Sequence, residues 1–474
     1  MGEPDVTHVP ETTLPIVEQA GGPVSASGCG MPLLPDPYTA YSYGYPHKSA
    51  YGPLQPSVPL RQAWRDEDQS RLFLYVHIPF CEMRCGFCNL LTESQPPGDV
   101  VEAYLDSLER QSRVVRGVFE HPGLRRMALG GGTPTYLTPR QLERVFTVLR
   151  DGWGGDPRAA LLSVETSPTT ATAERLQVLK DVGTHRLSLG VQSFLDHEAR
   201  AMGRPQQATG VQRALETIRK FSFPVLNLDL IYGDPTQTAG SWRQTLETAL
   251  RWEPEELFLY PLYIRPQTGL GRRESPVDSN HRLMLYREAV GFLSAAGWDQ
   301  VSMRCFRRGK TAGAAAASGA GLDGSLEWCC QSDGMLGLGC GARSYTRSLH
   351  YSSRFAVSQG GVQTLLRDWI RQDDAGFAEA NHGVWLTDDD RRRRFVLLSL
   401  LQTSGLPAAG YQQRFGSDVR GDFPGLQSLV NDGWAQWHDG ILRLTPEGLA
   451  LSDAIGPWLY APSRRRALEE FAPT

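Results

Sequence analysis

The chain has 474 residues, which is long enough for more than one domain. Its composition, with 41% hydrophobic and 21% charged residues, is typical of a globular protein with a sizeable core. The formal net charge of -4 gives no electrostatic reason to expect a nucleic acid or an anionic membrane as partner. No apolar run approaches the roughly 18 residues of a membrane span, and the acidic start does not resemble a secretory signal. We therefore expect a cytoplasmic protein, whose cysteines stay reduced.

The first half of the chain predicts a tail, an extension and a series of strand-helix pairs. Residues 1–36 are rich in Pro, Gly, Thr and Ser, which predicts a disordered N-terminal tail. An N-terminal extension rich in Tyr and Pro, "PYTAYSYGYPHKSAYGPL", follows it. From Leu72 onwards, six short apolar runs alternate with six amphipathic stretches. This alternation predicts right-handed crossovers and a parallel sheet, and six units favour a partial (β/α)6 barrel within residues 37–350.

Five of the six predicted strands are followed by a polar or Gly-rich segment. Three cysteines follow the first strand, "GGGTP" the second, "ETSP" the third, "GVQSF" the fourth and "DLIYGDP" the fifth. The carboxyl ends of the strands in an α/β barrel lie at one rim, where the loops build the functional site. We therefore expect these five segments to form one site.

The last part of the chain predicts a second, smaller unit. Residues 309–326 have low complexity and predict a flexible insertion, and residues 351–384 are predicted to form a linker. At residue 385 a new pattern begins, with Thr387 as a helix N-cap and three aspartates in the first turn. The order helix, helix, hairpin, helix predicts a small, mainly helical, winged-helix-like domain over residues 385–460, with a tail over 461–474. Because the aspartates directly precede the four arginines at 391–394, we favour ion pairing on the helix surface over nucleic-acid binding.

The cysteine-rich stretch "FCEMRCGFCN" contains three of the chain's eight cysteines, Cys81, Cys85 and Cys88. A structural zinc site needs four protein ligands, and no fourth Cys or His follows at a suitable spacing. A disulfide would leave one thiol unpaired. A 4Fe-4S cluster held by three thiolates keeps its fourth iron open for a non-protein ligand. We therefore predict an iron-sulfur cluster on these three cysteines.

This motif, with Phe87 before the last cysteine, resembles the cluster motif of the radical S-adenosylmethionine (SAM) enzymes. The resemblance implies that the open iron binds SAM, and that the reduced cluster cleaves SAM to a deoxyadenosyl radical that takes hydrogen from a substrate. It also implies a small-molecule substrate and an electron donor such as flavodoxin or ferredoxin, with no nucleic acid and no membrane.

Within the superfamily, the segments "YVHIPFCEMRCGFCN", "GGGTPTYL", "SVETSP", "RLSLGVQSF", "GRPQ", "NLDLIYGDPTQT" and "LGLGCGARSY" are similar to oxygen-independent coproporphyrinogen III oxidase and its relatives. Glycine in "GGGTP" would let the backbone approach SAM closely, with its peptide groups free to bond it. Matching the motifs residue by residue implies SAM-binding roles for eight residues: Tyr75, Gly131, Gly132, Thr133, Glu165, Gln192, Arg204 and Asp229. His77 has either a packing role or a catalytic one, and the sequence identifies no catalytic side chain.

Two departures from the family pattern bear on the substrate. Coproporphyrinogen oxidases carry a further cysteine where this chain has Leu90, and the haem-binding segment of the related chaperones is missing ahead of "LGLGCGARSY". We therefore expect an unidentified substrate. The reaction is either a coproporphyrinogen oxidase-like oxidation and decarboxylation or a methyl transfer that uses a second SAM molecule. The alternative is a haem or iron-sulfur carrier without turnover.

Several further residues keep two interpretations each. Arg265, Arg272 and Arg304 are candidates to meet a carboxylate or phosphate of the substrate, or are solvated arginines. The cysteines outside the motif region either form an auxiliary cluster or are buried thiols: Cys305, Cys329, Cys330 and Cys340.

Overall fold

The computed structural model describes residues 36–41, 44–153, 160–273, 277–309 and 334–471. The predicted N-terminal tail and the predicted insertion therefore lie outside the described residues, apart from Asp36 and Gly309. In the described part, no helix combines the length and the apolar character that crossing a bilayer requires.

The strands of the described residues are β1 (Gly52–Pro59), β2 (Leu72–Ile78), β3 (Phe80–Cys81), β4 (Glu93–Ser94), β5 (Leu124–Gly131), β6 (Leu161–Thr166), β7 (Arg186–Gln192), β8 (Val225–Tyr232), β9 (Glu256–Pro261), β10 (Trp298–Gln300), β11 (Cys305–Arg308), β12 (Met335–Leu338), β13 (Arg343–Tyr345), β14 (Leu349–Ser352), β15 (Glu379–Trp385), β16 (Leu406–Pro407), β17 (Ala435–His438) and β18 (Ile441–Leu444).

The α-helices of the same residues are α1 (Leu60–Ala63), α2 (Gly98–Arg116), α3 (Pro139–Trp153), α4 (Ala173–Asp181), α5 (Asp196–Ala201), α6 (Ala208–Lys220), α7 (Ala239–Arg251), α8 (Ser279–Ala295), α9 (Gln359–Arg371), α10 (Asp374–Phe377), α11 (Asp388–Leu400), α12 (Ala408–Phe415), α13 (Val419–Asp422), α14 (Leu426–Asn431), α15 (Pro446–Ala450), α16 (Ser452–Trp458) and α17 (Pro462–Glu469). Short 3-10 helices lie at Lys48–Ala50, Gln69–Arg71, Pro134–Tyr136 and Gly271–Arg273.

A mixed sheet of 13 strands forms the centre of the molecule, in the order β1-β15-β14-β13-β12-β2-β5-β6-β7-β8-β9-β11-β10. Its middle strands, β2, β5, β6, β7, β8 and β9, are parallel to one another, and β9 then pairs antiparallel with β11. Each is followed by at least one helix, so the six predicted strand-helix pairs and the α/β fold class are confirmed. Among the described residues β1 and β10, at the two ends of this order, do not pair with each other, so the sheet does not close.

The two faces of the parallel strands differ in chemistry. One face carries an in-register row of aliphatic residues that are at most 1% exposed: Val76, Leu129, Val164, Leu187 and Leu226. Amphipathic helices also bury apolar faces; α3, for example, buries residues spaced three or four apart. The other face carries a polar row in register, with Glu165, Ser188, Asn227 and Glu256 side by side. Parallel strands covered on both faces are usually apolar throughout, so the polar row indicates a functional interior.

The N-terminal extension and the segment before residue 385 extend the same sheet. Strand β1 pairs antiparallel with β15, and β15 pairs with β14. Residues 351–384, predicted to be a linker, contain α9, α10 and most of β15. The domain boundaries themselves stay a prediction.

The C-terminal region is mainly helical and contains a small sheet in the order β16-β18-β17, as the sequence pattern predicted. Thr387 caps α11, as predicted, in a reciprocal capping box with Asp390. The arginines of α11 are only partly on its surface. Arg393 pairs with Asp389 at 2.6 Å, whereas Arg394 is 4% exposed and donates to the backbone oxygen of Tyr45 in the N-terminal extension. The buried arginine ties this helix to the extension.

We expect Thr387→Ala to lower the free energy of unfolding by about 1 kcal/mol, because the first turn of α11 loses a side-chain acceptor for the Asp390 N–H. Denaturant unfolding followed by far-ultraviolet circular dichroism measures the change. Thr172→Ala is the matched control, since Thr172 stands at the N-cap of α4 without a cap hydrogen bond. Equal effects of the two substitutions would contradict the assigned cap.

Candidate functional site

The three predicted cluster cysteines lie on one loop after β2. Cys81 ends β3, and all three cysteines of the loop are free and partly exposed thiols. The loop is held by backbone contacts at Gly86, whose N–H donates to Gly203 O at 3.2 Å and whose carbonyl accepts from Leu270 N at 2.8 Å. A Cβ at Gly86 would lie 2.8 Å from the oxygen of Met202, so only glycine permits this approach without displacing the loop.

Hydrogen-bond donors from two other segments, the turn after β5 and the loop between α5 and α6, reach the thiols. The Thr133 hydroxyl donates to Cys81 Sγ at 3.6 Å, and Arg204 Nη1 donates to Cys85 Sγ at 3.4 Å. Cys88 Sγ lies 3.8 Å from the hydroxyl of Thr92 on its own loop. Thr133 and Arg204 are both predicted SAM-binding residues, so the structure places two of these residues against the cysteine loop.

The donor set fits a cluster of several irons better than a single metal ion. Across the described residues, no three His, Cys, Asp or Glu side chains converge on a position for one ion. A 4Fe-4S cluster instead needs each thiolate on a different iron. Burial raises the pKa of the Cys81 thiol to about 12, and burial likewise raises the pKa of the Cys85 thiol. Bound iron would supply the positive charge that stabilises the thiolates.

The glycine turn after β5 contacts both the cysteine loop and the sheet interior. Gly131 has a φ of +109°, and a Cβ there would lie 2.4 Å from the His77 ring. Its N–H donates to Glu165 Oε2 at 3.1 Å. The N–H groups of Gly132 and Thr133 donate to the carbonyls of Ile78 and Phe80, each at 2.8 Å. The expectation that the peptide N–H groups of this turn are free for SAM is therefore wrong for these three residues, because they join the turn to Glu165 and to the cysteine loop.

Glu165 and Asp229 line one cavity of about 310 Å³, together with Tyr75. Asp229 accepts hydrogen bonds from Ser188 Oγ at 3.0 Å and from Asn227 Nδ2 at 2.8 Å. Although Glu165 is exposed to the cavity, the surrounding protein limits its hydration. Burial and the neighbouring Asp229 raise the pKa of Glu165 to about 7, and burial raises the pKa of Asp229. This pair of carboxylates is suited to a cationic ligand.

Gln192 and Arg204 meet at the end of β7. Gln192 has a left-handed backbone with φ of 67°, and its Nε2 lies 2.9 Å from the position of a Cβ on Gly190. Arg204 donates through Nη2 to the carbonyl of Gly190 at 2.9 Å, while its Nη1 reaches Cys85. Arg204 therefore joins the end of β7 to the cysteine loop.

His77 orients Tyr75. His77 Nε2 lies 3.0 Å from the carbonyl of Leu91, and Nδ1 lies 3.3 Å from the Tyr75 hydroxyl. Because a carbonyl only accepts, Nε2 carries the proton and Nδ1 accepts from Tyr75. Burial lowers the pKa of His77 to about 4, which keeps the ring neutral. The His77 ring therefore fixes the direction of the Tyr75 hydroxyl, which donates to Nδ1.

Sequence reasoning missed the residues that support this site. Ser188 and Asn227 hold Asp229, and Glu256 pairs with Arg186 at 2.6 Å and Arg307 at 3.1 Å. The available signal was polar residues at alternate positions within the apolar runs "RLSLG" and "LNLDL", since alternation places them on one face of a strand. The predicted cluster residues lie on the cysteine loop, and the eight predicted SAM-binding residues lie around this loop and the cavity. The roles of both sets stay predictions.

The arginines and cysteines outside the motifs have separate environments. Arg304 is buried, whereas the guanidinium of Arg265 lies 5.3 Å from the ring centroid of Tyr263. Cys305 and Cys340 are both buried; Cys305 Sγ lies 3.8 Å from Glu256, and Cys340 Sγ 3.8 Å from the Leu365 carbonyl. Cys329 and Cys330 lie outside the described residues.

Comparison with known proteins agrees with this geometry. A model of the radical SAM superfamily matches residues 75–249, and a model of the HemN C-terminal domain matches residues 386–451. The chain is 29% identical to the oxygen-independent coproporphyrinogen III oxidase of Escherichia coli (strain K12) over 80% of this chain and 83% of that protein. It is 26% identical to the heme chaperone HemW of Bacillus subtilis over 80% of this chain and 97% of that protein. The solved structure of coproporphyrinogen III oxidase (HemN) from Escherichia coli has a TM-score of 0.72 and 25% identity, and the match covers 87% of this chain and 96% of that chain.

Residues 75–249 therefore form a radical SAM domain, and the radical SAM superfamily uses a 4Fe-4S cluster and SAM. Over most of its length the chain is similar to the oxygen-independent coproporphyrinogen III oxidases and their heme-chaperone relatives, as the sequence motifs indicated.

We expect Gly131→Ala to lower the free energy of unfolding by about 1–3 kcal/mol, because the new methyl group meets the His77 ring and the positive φ disfavours alanine. The same substitution should weaken SAM binding by the reconstituted protein. Denaturant unfolding and equilibrium dialysis with labelled SAM measure the two effects. Gly210→Ala in α6 is the control, because a Cβ there meets nothing within 4 Å, so its stability should be unchanged or slightly higher.

We also expect SAM affinity to rise by about tenfold from about pH 6 to about pH 8, because the cationic ligand favours the carboxylate of Glu165 and the pKa of Glu165 is about 7. Binding below pH 7 should release a proton, which calorimetry in two buffers of different ionisation enthalpy detects. Glu165→Gln removes the titrating group and should flatten the difference. A wild-type protein whose pH profile matches that of Glu165→Gln would exclude this role.

Proposed function

We propose that this protein is an enzyme that binds a 4Fe-4S cluster on Cys81, Cys85 and Cys88 and uses it to cleave SAM reductively, acting on a small-molecule substrate. The observation that carries the proposal is a continuous path of contacts from the cysteine loop to the cavity. Thr133 and Arg204 donate to two of the thiols, and the adjacent Gly131 donates to the cavity residue Glu165. A cluster on the loop and a ligand in the cavity would therefore be neighbours.

In this proposal the eight predicted residues bind SAM: Tyr75, Gly131, Gly132, Thr133, Glu165, Gln192, Arg204 and Asp229. When bound, the cluster and SAM would supply a one-electron cleavage of SAM that releases methionine, and the hydrogen atom taken from the substrate would end in the product 5'-deoxyadenosine. The two carboxylates of the cavity would stabilise the positive charges of SAM. Arg204 would offset the negative charge of the Cys85 thiolate and hold the cysteine loop against β7.

The residues that bound the cavity would shield the reaction from water. The cavity is bounded by the polar face of the sheet, by the N-terminal extension and by α11. We further propose an electron donor such as flavodoxin or ferredoxin, no nucleic-acid or membrane partner, and a cytoplasmic location in which the loop thiols stay reduced.

We propose that the substrate differs from coproporphyrinogen III. The position of the further cysteine of the coproporphyrinogen oxidases is taken here by Leu90, whose side chain cannot ligate metal or transfer a proton. The cavity of about 310 Å³ is at the small end of the range for ligand sites. Oxidation with one SAM and methyl transfer with a second SAM both remain compatible with this site.

A carrier without turnover is the second candidate, because the chain covers nearly the whole length of the heme chaperone HemW of Bacillus subtilis. The missing haem-binding segment ahead of Cys340 counts against it. The two candidates differ in whether SAM is consumed.

We expect the protein, reconstituted anaerobically with iron and sulfide and reduced with dithionite, to form 5'-deoxyadenosine from SAM. Cys85→Ala should lose the visible absorbance of the cluster and reduce deoxyadenosine to background. Cys340→Ala is the matched control, because this buried cysteine lies outside the cysteine loop and should leave the cluster intact. Chromatography quantifies deoxyadenosine and S-adenosylhomocysteine together.

The ratio of the two products separates the reactions. Deoxyadenosine alone supports oxidation with one SAM, and additional S-adenosylhomocysteine supports methyl transfer. An intact cluster with bound SAM and neither product would favour the carrier or a strict need for the substrate.

A further inference from the structure

The cavity contains a charged residue that the SAM-binding proposal does not use. Arg304 directly precedes β11, is 8% exposed and lines the same cavity as Glu165 and Asp229. Its backbone carbonyl accepts from Leu259 N in β9, which fixes the main chain at this point. The side chain is therefore held at the cavity wall by the sheet itself.

The charge of Arg304 is balanced and its plane is fixed. Arg304 Nη2 forms an ion pair with Asp453 of α16, which is fully buried. The Tyr263 hydroxyl donates to the same Asp453 oxygen at 2.6 Å. The guanidinium lies over the ring of Tyr41, 4.1 Å from its centroid. An arginine in this setting has little conformational freedom.

Part of this guanidinium has no acceptor. The Nε atom of Arg304 is buried without a hydrogen-bond partner in the described part of the chain. A buried donor without an acceptor destabilises the folded protein. The fold bears this cost at a cavity, where a bound molecule would supply the acceptor.

The surroundings define which acceptor fits. Aromatic and aliphatic side chains form much of the cavity wall, among them Tyr41, Phe258, Tyr260, Met303 and Leu401. Flat aromatic molecules pack well against such a wall. Because Asp453 already neutralises Arg304, a ligand carboxylate at this place would add an uncompensated buried negative charge. An uncharged acceptor avoids this penalty.

We propose that Arg304 donates a hydrogen bond to an uncharged acceptor, a carbonyl oxygen or a ring nitrogen, of an aromatic molecule bound in this cavity. That this molecule is the substrate rests on the function proposed above. The binding site itself depends only on the cavity and on Arg304.

Three probes of matched shape test the proposal: 2-acetylnaphthalene, naphthalene and 2-naphthoate. Their affinities for the reconstituted, SAM-saturated protein are measured by quenching of intrinsic fluorescence. We expect the ketone to bind about tenfold more tightly than naphthalene, because it gains one hydrogen bond to a charged donor. The carboxylate should bind less tightly than the ketone.

Two substitutions assign the effect to Arg304. Arg304→Met should reduce the ratio of ketone to naphthalene affinity to about one, since the donor is lost. Arg304→Lys keeps a positive charge for Asp453 and removes the guanidinium edge, so it should also lose the preference if the methionine variant fails to fold. Naphthalene affinity reports whether the cavity is intact in each variant. Arg308→Met, at an exposed position of β11, is the control and should keep the full ratio.

A vibrational measurement supplies a readout that a merely structural role would not change. The carbonyl stretch of ¹³C-labelled 2-acetylnaphthalene should shift to lower wavenumber in the wild-type protein and not in Arg304→Lys. Equal affinity of wild type for ketone and naphthalene, or an unchanged ratio in both Arg304 variants, would overturn the proposal, and so would tightest binding of the carboxylate. Deoxyadenosine is measured in the same wild-type sample. Deoxyadenosine formation without a preference for the ketone would contradict only the Arg304 proposal. A preference for the ketone without deoxyadenosine formation would contradict only the proposed function.

Discussion

Two backbone hydrogen bonds hold the site together, because they join the end of β5 to the segment that leads into the cysteine loop. The N–H groups of Gly132 and Thr133 donate to Ile78 and Phe80 on either side of Pro79. They fix the direction in which the chain leaves β2, and the side chain of Thr133 then meets Cys81. Residues 78–81 and 130–133 behave as one unit, so an error in either segment would misplace the thiols and the path from Gly131 to Glu165. The strict geometry at Gly131, with its positive φ and the His77 ring beside it, follows from the same constraint.

The polar face of the sheet shows why the position of the glycine turn matters. Placing Glu165 and Asp229 near each other in a poorly hydrated cavity opposes folding, because the two carboxylates repel each other. The chain offsets part of this cost with hydrogen bonds from Ser188 and Asn227 to Asp229 and from Gly131 to Glu165. The remaining imbalance favours protonation of Glu165, and a cationic ligand would remove it. The Glu165 and Asp229 carboxylates, which lie in a cavity beside a loop of thiols, are therefore matched to a cationic sulfonium ligand, which the superfamily supplies as SAM.

Local patterns predicted the framework of the site but not its interactions across the sheet. The six strand-helix pairs and the cap at Thr387 follow from periodicity and from side-chain chemistry within a few residues, and both are confirmed. The cysteine spacing is equally local. The support of Asp229 by Ser188 required the register between β7 and β8, which sequence alone does not give. The glycine turn was predicted only in part. Its conformational freedom agrees with the prediction, but its N–H groups form hydrogen bonds within the protein, because the neighbouring loop lies closer than a linear motif can show.

Asp453 shows why the C-terminal region belongs to the same cavity. Its carboxylate accepts from Tyr263, which follows β9, and pairs with Arg304, which precedes β11. Its backbone carbonyl accepts from Ala40 in the N-terminal extension at 3.1 Å. One fully buried residue thus bonds to three segments that are far apart in the chain. Removing the negative charge would leave Arg304 buried and uncompensated, which is costlier than losing one surface ion pair. The C-terminal region therefore defines part of the cavity wall together with the parallel strands, and the wall around Arg304 depends on contacts between segments that are far apart in the chain.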